Sequence, residues 1–515
     1  MPKRSSKANN SKTLSTQQSV NSAIKSICDI MRRSNCAGAM QYVPELTWIL
    51  FLQILDQRET QEAEHAEAVG VEFRPSLESP YRWRDWAAPE GAKRKELARG
   101  TLGAFFGFVN EELLPHLRGL QERPNATARQ RIVSEIMSGV ERTRIDTEKN
   151  FLDVLDKVHE IRDEKVDSTH VFPLSQVYEG LLLKMGERGN DGGQFFTPRE
   201  VIRAMVRVID PQIGETVYDP GCGTGGFLAQ SFEHMAGPRF GNITSPDQLD
   251  ILKHQTFYGR EKDDTVYPIG LANLVLHHID EPHIWHGNTL TGRESYGGLF
   301  HGAPALFDVV LMNPPFGGKE GKEAQIRFAY KTGVTQVLFL QHVIDSLKPG
   351  GRCGIVVDEG VLFRTNETAF VQTKRKLLDD CDLWCLVSLP PGVFTAAGAG
   401  VKTNLLFFTR GEPTERIWYY DLSAIKVTKK KPLTLAHFDE FFELLPKRAD
   451  SEHSWTVSRE EIEKKNFDLK AVNPNAKNDV DTRTPEELLD LIEQKGREVA
   501  EALAVLRKDA NRPKP

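Results

Sequence analysis

The segment 309–316 combines a buried-strand pattern with side chains that suit one kind of chemistry. Four apolar residues, 309–312, predict a buried strand, and Asn313-Pro314-Pro315-Phe316 follows it directly. Asn313 and Pro314 offer amide and carbonyl oxygens as acceptors, and both prolines restrict φ. Two fixed acceptors beside the flat ring of Phe316 suit an exocyclic amino group on a planar base that has left its stack. A strand that ends in a Pro-Pro turn is the plain structural alternative.

A second segment with chemical potential is the glycine-rich stretch 217–227, which reads as a strand, a turn and the start of a helix. Gly221, Gly223 and Gly226 satisfy the pattern G-x-G-x-x-G. Glycines let the backbone approach a ligand closely, and the N-terminus of a helix offers unpaired N–H groups. The pattern by itself is typical of a dinucleotide fingerprint. Asp219, which places a carboxylate at the strand tip before the glycines, argues against an ordinary dinucleotide site.

Glu261 ends the next predicted strand. A carboxylate at that position can accept hydrogen bonds from both hydroxyls of a ribose, although an acid in a solvated turn would look the same. In a dinucleotide site the corresponding acid follows the glycine pattern after about 20 residues, and Glu261 comes later than that. The chain also lacks the pattern G-x-x-x-x-G-K-[ST], so the sequence predicts no ATP motor.

Strand and helix patterns alternate from residue 166 onward. The predicted strands are 216–219, 256–260, 308–312, 353–357, 384–389 and 404–409. The predicted helices are 198–209, 225–236, 265–278, 335–347 and 367–380. This alternation predicts an α/β fold with a doubly wound, mostly parallel, Rossmann-like sheet. Ligands of such sheets lie beyond the carboxyl ends of the strands, so the glycine turn and the Asn-Pro-Pro-Phe corner should face one cleft.

Four parts are predicted along the chain. A basic, disordered arm (1–12) precedes an all-α recognition or assembly domain (13–165), the catalytic domain (166–446), and a linker with a C-terminal helix for partner docking (447–515). Helices of the second part are predicted at 45–66, 93–118, 125–138 and 146–163. The terminal helix, 484–508, opens with a capping-box pattern and carries a near-heptad apolar stripe.

Composition restricts the class of protein. The 515 residues are 39% hydrophobic and 27% charged, and no apolar stretch is long enough to span a membrane. The N-terminus lacks the apolar core of a secretory signal, and the six cysteines show no zinc spacing, so we expect a cytoplasmic protein without a metal site. The net charge of −6 is low for a protein that grips DNA alone, so a partner should supply much of that grip.

Taken together, four ordered motifs support a family resemblance. The chain resembles the modification (methyltransferase) subunits of type I restriction–modification systems, which belong to the adenine-N6 DNA methyltransferases. The motifs lie at 193–199 (Gly-Gln-Phe-Phe-Thr-Pro-Arg), 219–227, 287–290 (Gly-Asn-Thr-Leu) and 313–316. The resemblance covers most of the chain, is densest over 170–410, and extends to the helical N-terminal domain.

The resemblance implies S-adenosylmethionine as the cofactor. The residues that it assigns to cofactor binding are Gln194, Phe195, Phe196, Thr197, Pro198, Arg199, Asp219, Gly221, Gly223, Thr224, Gly225, Gly226, Glu261 and Asn288. Asn288 stands where related enzymes often carry an acid near the adenine ring, and Gly221 stands where many carry alanine. The catalytic residues that it implies are Asn313, Pro314, Pro315 and Phe316. Asn313 Oδ1 and the Pro314 carbonyl would accept both N6–H bonds of a flipped adenine, on which Phe316 would stack.

The resemblance also implies partners: double-stranded DNA, a separate DNA-specificity subunit bound by two modification subunits, and in some assemblies a restriction (translocase) subunit. Little in this chain resembles a target-recognition domain of its own. Three other functions stay open at this point. They are a stand-alone DNA methyltransferase, a protein-glutamine amino-group methyltransferase, and a scaffold that keeps the fold without the activity.

Overall fold

The computed structural model describes most of the chain in two compact units, Met1–Val472 and Asn473–Pro515. The described residues are 17–34, 36, 39–68, 70–161, 197–292, 298–394, 402–428, 431–470, 472–475 and 485–510. The predicted arm 1–12 and the predicted cofactor residues Gln194, Phe195 and Phe196 lie outside these ranges. The domain limits inferred from the sequence stay predictions.

The N-terminal part of the first unit is helical, as predicted. Its α-helices are α1 (Gln17–Arg33), α2 (Ala39–Ala68), α3 (Trp83–Trp86), α4 (Ala92–Leu97), α5 (Ala104–Gly107), α6 (Leu114–Arg118), α7 (Ala128–Met137) and α8 (Glu148–His159). Trp48 of α2 is fully buried and stacks on Trp86, with ring centroids 6.5 Å apart. The prediction of one helix over 93–118 is wrong, because the chain turns at Gly103, whose φ of +87° suits glycine.

A nine-stranded sheet forms the rest of the core. Its strands are β1 (Val217–Asp219), β2 (Phe257–Glu261), β3 (His283–His286), β4 (Phe307–Met312), β5 (Leu347–Asp358), β6 (Cys381–Ser388), β7 (Thr403–Arg410), β8 (Arg416–Asp421) and β9 (Ser454–Ser458). They lie side by side in the order β3-β2-β1-β4-β5-β7-β6-β8-β9. Five of the eight strand pairs are parallel, and the three antiparallel pairs involve β7 or β9. The mostly parallel sheet is thus confirmed.

Helices cover both faces of this sheet. They are α9 (Arg199–Ile209), α10 (Gly226–Ala236), α11 (Pro246–His254), α12 (Val266–Leu276), α13 (Lys322–Gln325), α14 (Thr335–Ser346), α15 (Glu359–Phe363), α16 (Thr368–Asp380), α17 (Asp439–Leu444) and α18 (Arg459–Lys464). Along β4 the side chains alternate between two cores: Val309 and Leu311 pack in one, Val310 and Met312 in the other. All six predicted strands and the five predicted helices exist, whereas β3, β8 and β9 were not predicted.

An ionic cluster joins the helical part to the sheet part. Helices α2 and α7 pack against α12, and Asp280 follows α12 in the chain. Asp280 pairs with Arg58 of α2, with Lys253 at 3.2 Å and with Arg129 of α7 at 3.6 Å. Burial works to raise the pKa of Asp280, yet the charges of Arg58, Lys253 and Arg129 together lower it to about 2. The two parts of the first unit are therefore held together by charge as well as by apolar packing.

The second unit carries one described helix, α19 (Pro485–Ala510), which corresponds to the predicted helix 484–508. Leu489, Ile492, Val499 and Leu503 recur on it at helical spacing and are exposed. Thr484, the predicted N-cap, lies outside the described residues. Within the described part of the chain, no helix combines the length and the apolar character needed to cross a membrane.

Candidate active site

A cavity of about 310 Å³ lies at the carboxyl ends of β1, β2 and β4. This volume falls in the usual range for small-molecule sites. The predicted site residues that line it are Thr197, Arg199, Asp219, Gly221, Gly223, Thr224, Gly226, Glu261, Asn288, Asn313, Pro315 and Phe316. Pro198, Gly225 and Pro314 are described but are not among its lining residues. The glycine loop and the Asn-Pro-Pro-Phe corner therefore face one cleft, as their positions at strand ends predict.

The glycine loop fits tightly between β1 and α12. Gly225 takes a φ of +78° directly before α10 begins, and a Cβ built there would lie 3.0 Å from the side chain of Leu274. Gly270 also belongs to α12, and a Cβ built there would lie 2.7 Å from the carbonyl oxygen of Gly223. The buried Asn273 donates from Nδ2 to the carbonyl oxygen of Thr224, at 2.9 Å. The loop is thus held in place by α12, a contact that the sequence did not suggest.

Two buried carboxylates face this cavity. Asp219 Oδ1 accepts one hydrogen bond, from the N–H of Gly221 at 3.1 Å. Burial, and next the charge of Glu261, raise the pKa of Asp219 to about 8, although the bond from Gly221 works against the rise. Burial also raises the pKa of Glu261, in spite of hydrogen bonds from the N–H groups of Asp263, Gly223 and Lys262. A cationic group beside these carboxylates would lower both pKa values, so the tips of β1 and β2 favour positive charge on the part of a ligand that reaches them.

In the part of the chain that the structure describes, one hydrogen bond orients the side-chain amide of Asn313. Its Nδ2 donates to Thr197 Oγ1 at 3.0 Å, which leaves Oδ1 as the available acceptor. Oδ1 is buried and has no hydrogen-bond partner among the residues that the structure describes. Leaving a buried acceptor unsatisfied costs about 1–3 kcal/mol, which a ligand that donates a hydrogen bond to Oδ1 would recover. Asn313 is therefore prepared to accept a hydrogen bond from a ligand.

The other corner residues frame Asn313 with apolar surface. Phe316 contacts Phe394 edge to face, with ring centroids 5.5 Å apart and planes at 75°. Phe339 of α14 also lines the cavity. Neither Phe339 nor Phe394 was singled out in the sequence, because each reaches the site only through the packing of its own element.

Asn288 stands where related enzymes often carry an acid, and both ends of its side-chain amide form hydrogen bonds within the protein. Its Oδ1 accepts from the N–H of Leu290 at 3.0 Å, while its Nδ2 donates to Glu320 Oε2 at 3.4 Å. Glu320 Oε1 accepts from Thr335 Oγ1 at 3.2 Å, and Glu320 lines the cavity. Glu320 was not identified as a site residue from the sequence. No group of three or more His, Cys, Asp or Glu residues in the described ranges could hold a metal ion.

Comparisons with known proteins find similar sequences over nearly the whole chain. The model of the N-6 DNA methylase family matches residues 169–483, and that of the HsdM N-terminal domain matches residues 20–134. The EcoEI methylase subunit of the type I restriction enzyme of Escherichia coli is 33% identical over 508 residues, which cover 95% of this chain and 97% of the relative. The EcoKI methylase subunit of Escherichia coli K12 is 30% identical over 459 residues, 85% of this chain and 79% of the relative.

Solved structures give the same result. A chain from a structure concerned with complex assembly and conformational transition of the type I restriction–modification system is 36% identical, with a TM-score of 0.72. The match covers 97% of this chain and 100% of that one. A modification subunit of a candidate type I restriction enzyme from Vibrio vulnificus YJ016 is 33% identical, with a TM-score of 0.77, over 91% of this chain and 99% of that one.

The raised pKa of Asp219 predicts a pH-dependent stability. The folded state holds the Asp219 proton more tightly than the unfolded state does, so stability falls as pH rises from about 4 through about 8. Asp219→Asn keeps an acceptor for the N–H of Gly221 but cannot ionise. The melting temperature of this variant should exceed that of the wild type at pH 9, by more than at pH 6. Asp153→Asn, at an exposed position, is the control. If Asp219→Asn melted below the wild type at pH 9, ionisation of Asp219 would not destabilise the folded protein, and the prediction would be wrong.

Proposed function

This chain belongs to the N-6 DNA methylase family, among the methylase subunits of type I restriction enzymes, and we propose that it transfers a methyl group from S-adenosylmethionine to N6 of an adenine flipped out of double-stranded DNA. The resemblance inferred from the four motifs is confirmed by these matches. The observation that carries the proposal is the Asn313 amide, whose oxygen is buried beside the glycine loop without a partner among the described residues.

The residues of the cavity fit S-adenosylmethionine, a nucleoside with a sulfonium and with an amino-acid end that carries both an ammonium and a carboxylate. When bound, it supplies an electrophilic methyl carbon. Asp219 and Glu261 complement the positive charge, and the loop 221–226 leaves room for close backbone approach. Glu261 Oε2 accepts only from the N–H of Gly223 among the described residues, so it keeps acceptor capacity for the ribose hydroxyls. Thr197 and Arg199 line the cavity from the N-terminus of α9.

Catalysis follows from where the acceptors lie. In adenine the N6 lone pair is delocalised into the ring, which makes the amino group a poor nucleophile. Asn313 Oδ1 accepts one N6–H, and the carbonyl of Pro314 accepts the other, so that the nitrogen becomes pyramidal and its lone pair is localised out of the plane of the base. As N6 gained the methyl group, the bond from that carbon to the sulfur of the cofactor would break and S-adenosylhomocysteine would be left. The N6 proton held by Oδ1 would then pass to water. No base has to act first; the rate comes from orientation and fixed dipoles.

Phe316 gives the extruded base a surface to replace its lost stacking. A base leaves the duplex at the expense of stacking and pairing. Stacking on an aromatic side chain returns about 1–3 kcal/mol per base. The edge contact with Phe394 limits how the Phe316 ring can turn, which keeps it ready for the base.

We assign the choice of adenine to a separate specificity subunit. Two modification subunits would bind one specificity subunit, and in some assemblies a restriction subunit would join them. Two observations support a partner. The net charge of −6 gives the chain little electrostatic attraction for DNA by itself. Helix α19 exposes an apolar stripe, defined by Leu489, Ile492, Val499 and Leu503, which are 48–67% exposed. We assign this stripe to docking on the specificity subunit.

Asn313→Ala should reduce methyl transfer to DNA by roughly 100-fold or more, because the variant loses the acceptor that activates N6. The affinity for S-adenosylmethionine, measured by calorimetry, should stay within about threefold of the wild type, since the proposed contacts of Asn313 are to the base. Methyl transfer is measured with the specificity subunit present. Full activity of the variant would refute the assignment of Asn313.

Thr197→Val should lower kcat by roughly tenfold, since the valine cannot accept from Nδ2 and the Asn313 amide is then free to turn its oxygen away. Thr197→Ser keeps the hydroxyl and should restore most of kcat. A loss confined to cofactor affinity, or an equal loss in both variants, would mean that Thr197 serves the cofactor alone and does not orient Asn313.

Replacing the four apolar residues of the α19 stripe with serine should prevent assembly with the specificity subunit while cofactor binding stays unchanged. The control replaces the exposed Glu493 and Arg497 of the same helix with serine. Gel filtration of the mixed subunits measures the complex. Co-elution of the stripe variant with the specificity subunit would remove α19 from the docking surface.

A further inference from the structure

Glu320 is fixed in the cavity wall by the main chain around it. It belongs to the loop 317–334, which follows the Asn-Pro-Pro-Phe corner and returns to α14. The N–H of Glu320 donates to the carbonyl oxygen of Gly333 at 2.8 Å, and the N–H of Thr335 donates to that of Gly318 at 3.1 Å. A Cβ at Gly318 would lie 2.6 Å from Thr335 Oγ1, so the loop passes close over the start of α14. The position of the carboxylate is therefore part of the fold.

The hydrogen bonds of Asn288 decide which group can act as an acceptor here. Its amide oxygen is committed to the N–H of Leu290, and its amide nitrogen, which can only donate, points to Glu320. Each oxygen of Glu320 accepts one hydrogen bond, from Asn288 and from Thr335 respectively, and a carboxylate oxygen can accept a second. The acceptor capacity at this end of the cavity thus belongs to Glu320.

On the basis of the proposed function, we propose that Glu320, rather than Asn288, recognises the exocyclic amino group of the adenine in S-adenosylmethionine. A carboxylate accepts from such a group more strongly than a neutral amide does. It also repels a purine with an oxygen at the same position, which would place two acceptors against each other. The donor bond from Asn288 keeps the carboxylate turned toward the cavity. The same loop that closes the catalytic corner would then read the base of the cofactor.

The test compares two ligands without DNA. Calorimetry on the full chain measures the affinities of S-adenosylhomocysteine and of S-inosylhomocysteine, in which an oxygen replaces the amino group. The wild type should prefer the adenine compound by roughly tenfold or more. Glu320→Gln, whose side-chain amide can also donate, should reduce this preference by roughly tenfold. Glu323→Gln, an exposed position in the next helix, is the matched control and should leave the preference unchanged.

A reciprocal variant protects the test against a general loss of structure. Asn288→Asp alone places two carboxylates against each other and should weaken binding of both ligands. The double variant Asn288→Asp with Glu320→Gln returns an acid and an amide to the pair in exchanged positions, and should regain the preference for adenine.

Three results would overturn the inference. If Glu320→Gln binds both ligands with the wild-type preference, Glu320 does not read the amino group, although the proposed function stands. If Glu320→Gln and the control Glu323→Gln reduce the preference equally, the loss of charge on the loop explains the effect and Glu320 does not read the amino group. If the wild-type chain binds neither ligand, the proposed function itself fails, and this inference fails with it.

Discussion

The hydrogen bond between Asn313 Nδ2 and Thr197 Oγ1 links the two sides of the cavity, and the rest of the site depends on it. Asn313 follows β4 directly, while Thr197 comes shortly before α9, which packs on β4 and β5. The bond can therefore form only when that helix lies on the sheet. Its effect is chemical as well as structural, because it uses the donor end of the amide and leaves the acceptor end for a ligand. The cost of an unsatisfied buried oxygen is offset by the apolar packing of the strand that carries it.

Buried negative charge is the second constraint on the site. Asp219 and Glu261 lie at the tips of β1 and β2, where burial raises both pKa values, and Glu320 adds a third carboxylate from the loop after β4. The free protein bears the cost of this arrangement, and a cationic ligand would relieve it. Ligand binding should accordingly be linked to proton release near the pKa of Asp219.

The sequence predicted the elements that hold the site, because both halves of the cavity follow strongly apolar strands. Residues 309–312 and 217–219 were identified from pattern alone, and parallel pairing then required their ends to meet. Strand β3 was missed since it reads His-Ile-Trp-His and only Ile284 is buried. Glu320 and Asn273 were missed for a different reason: each reaches the cavity through a loop or helix whose path depends on tertiary packing. The cluster around Asp280 likewise joins residues more than 200 positions apart. Local patterns contain no information about such contacts.

The central claim is that the Asn313 corner methylates N6 of adenine in DNA. The most direct measurement uses S-adenosylmethionine labelled in its methyl group, the chain assembled with its specificity subunit, and DNA that contains the recognition site. The DNA is digested to nucleosides and the label is identified by chromatography and mass spectrometry. We expect the label in N6-methyldeoxyadenosine. Label in a methylated cytosine, or in a glutamine side chain of a protein, would contradict it.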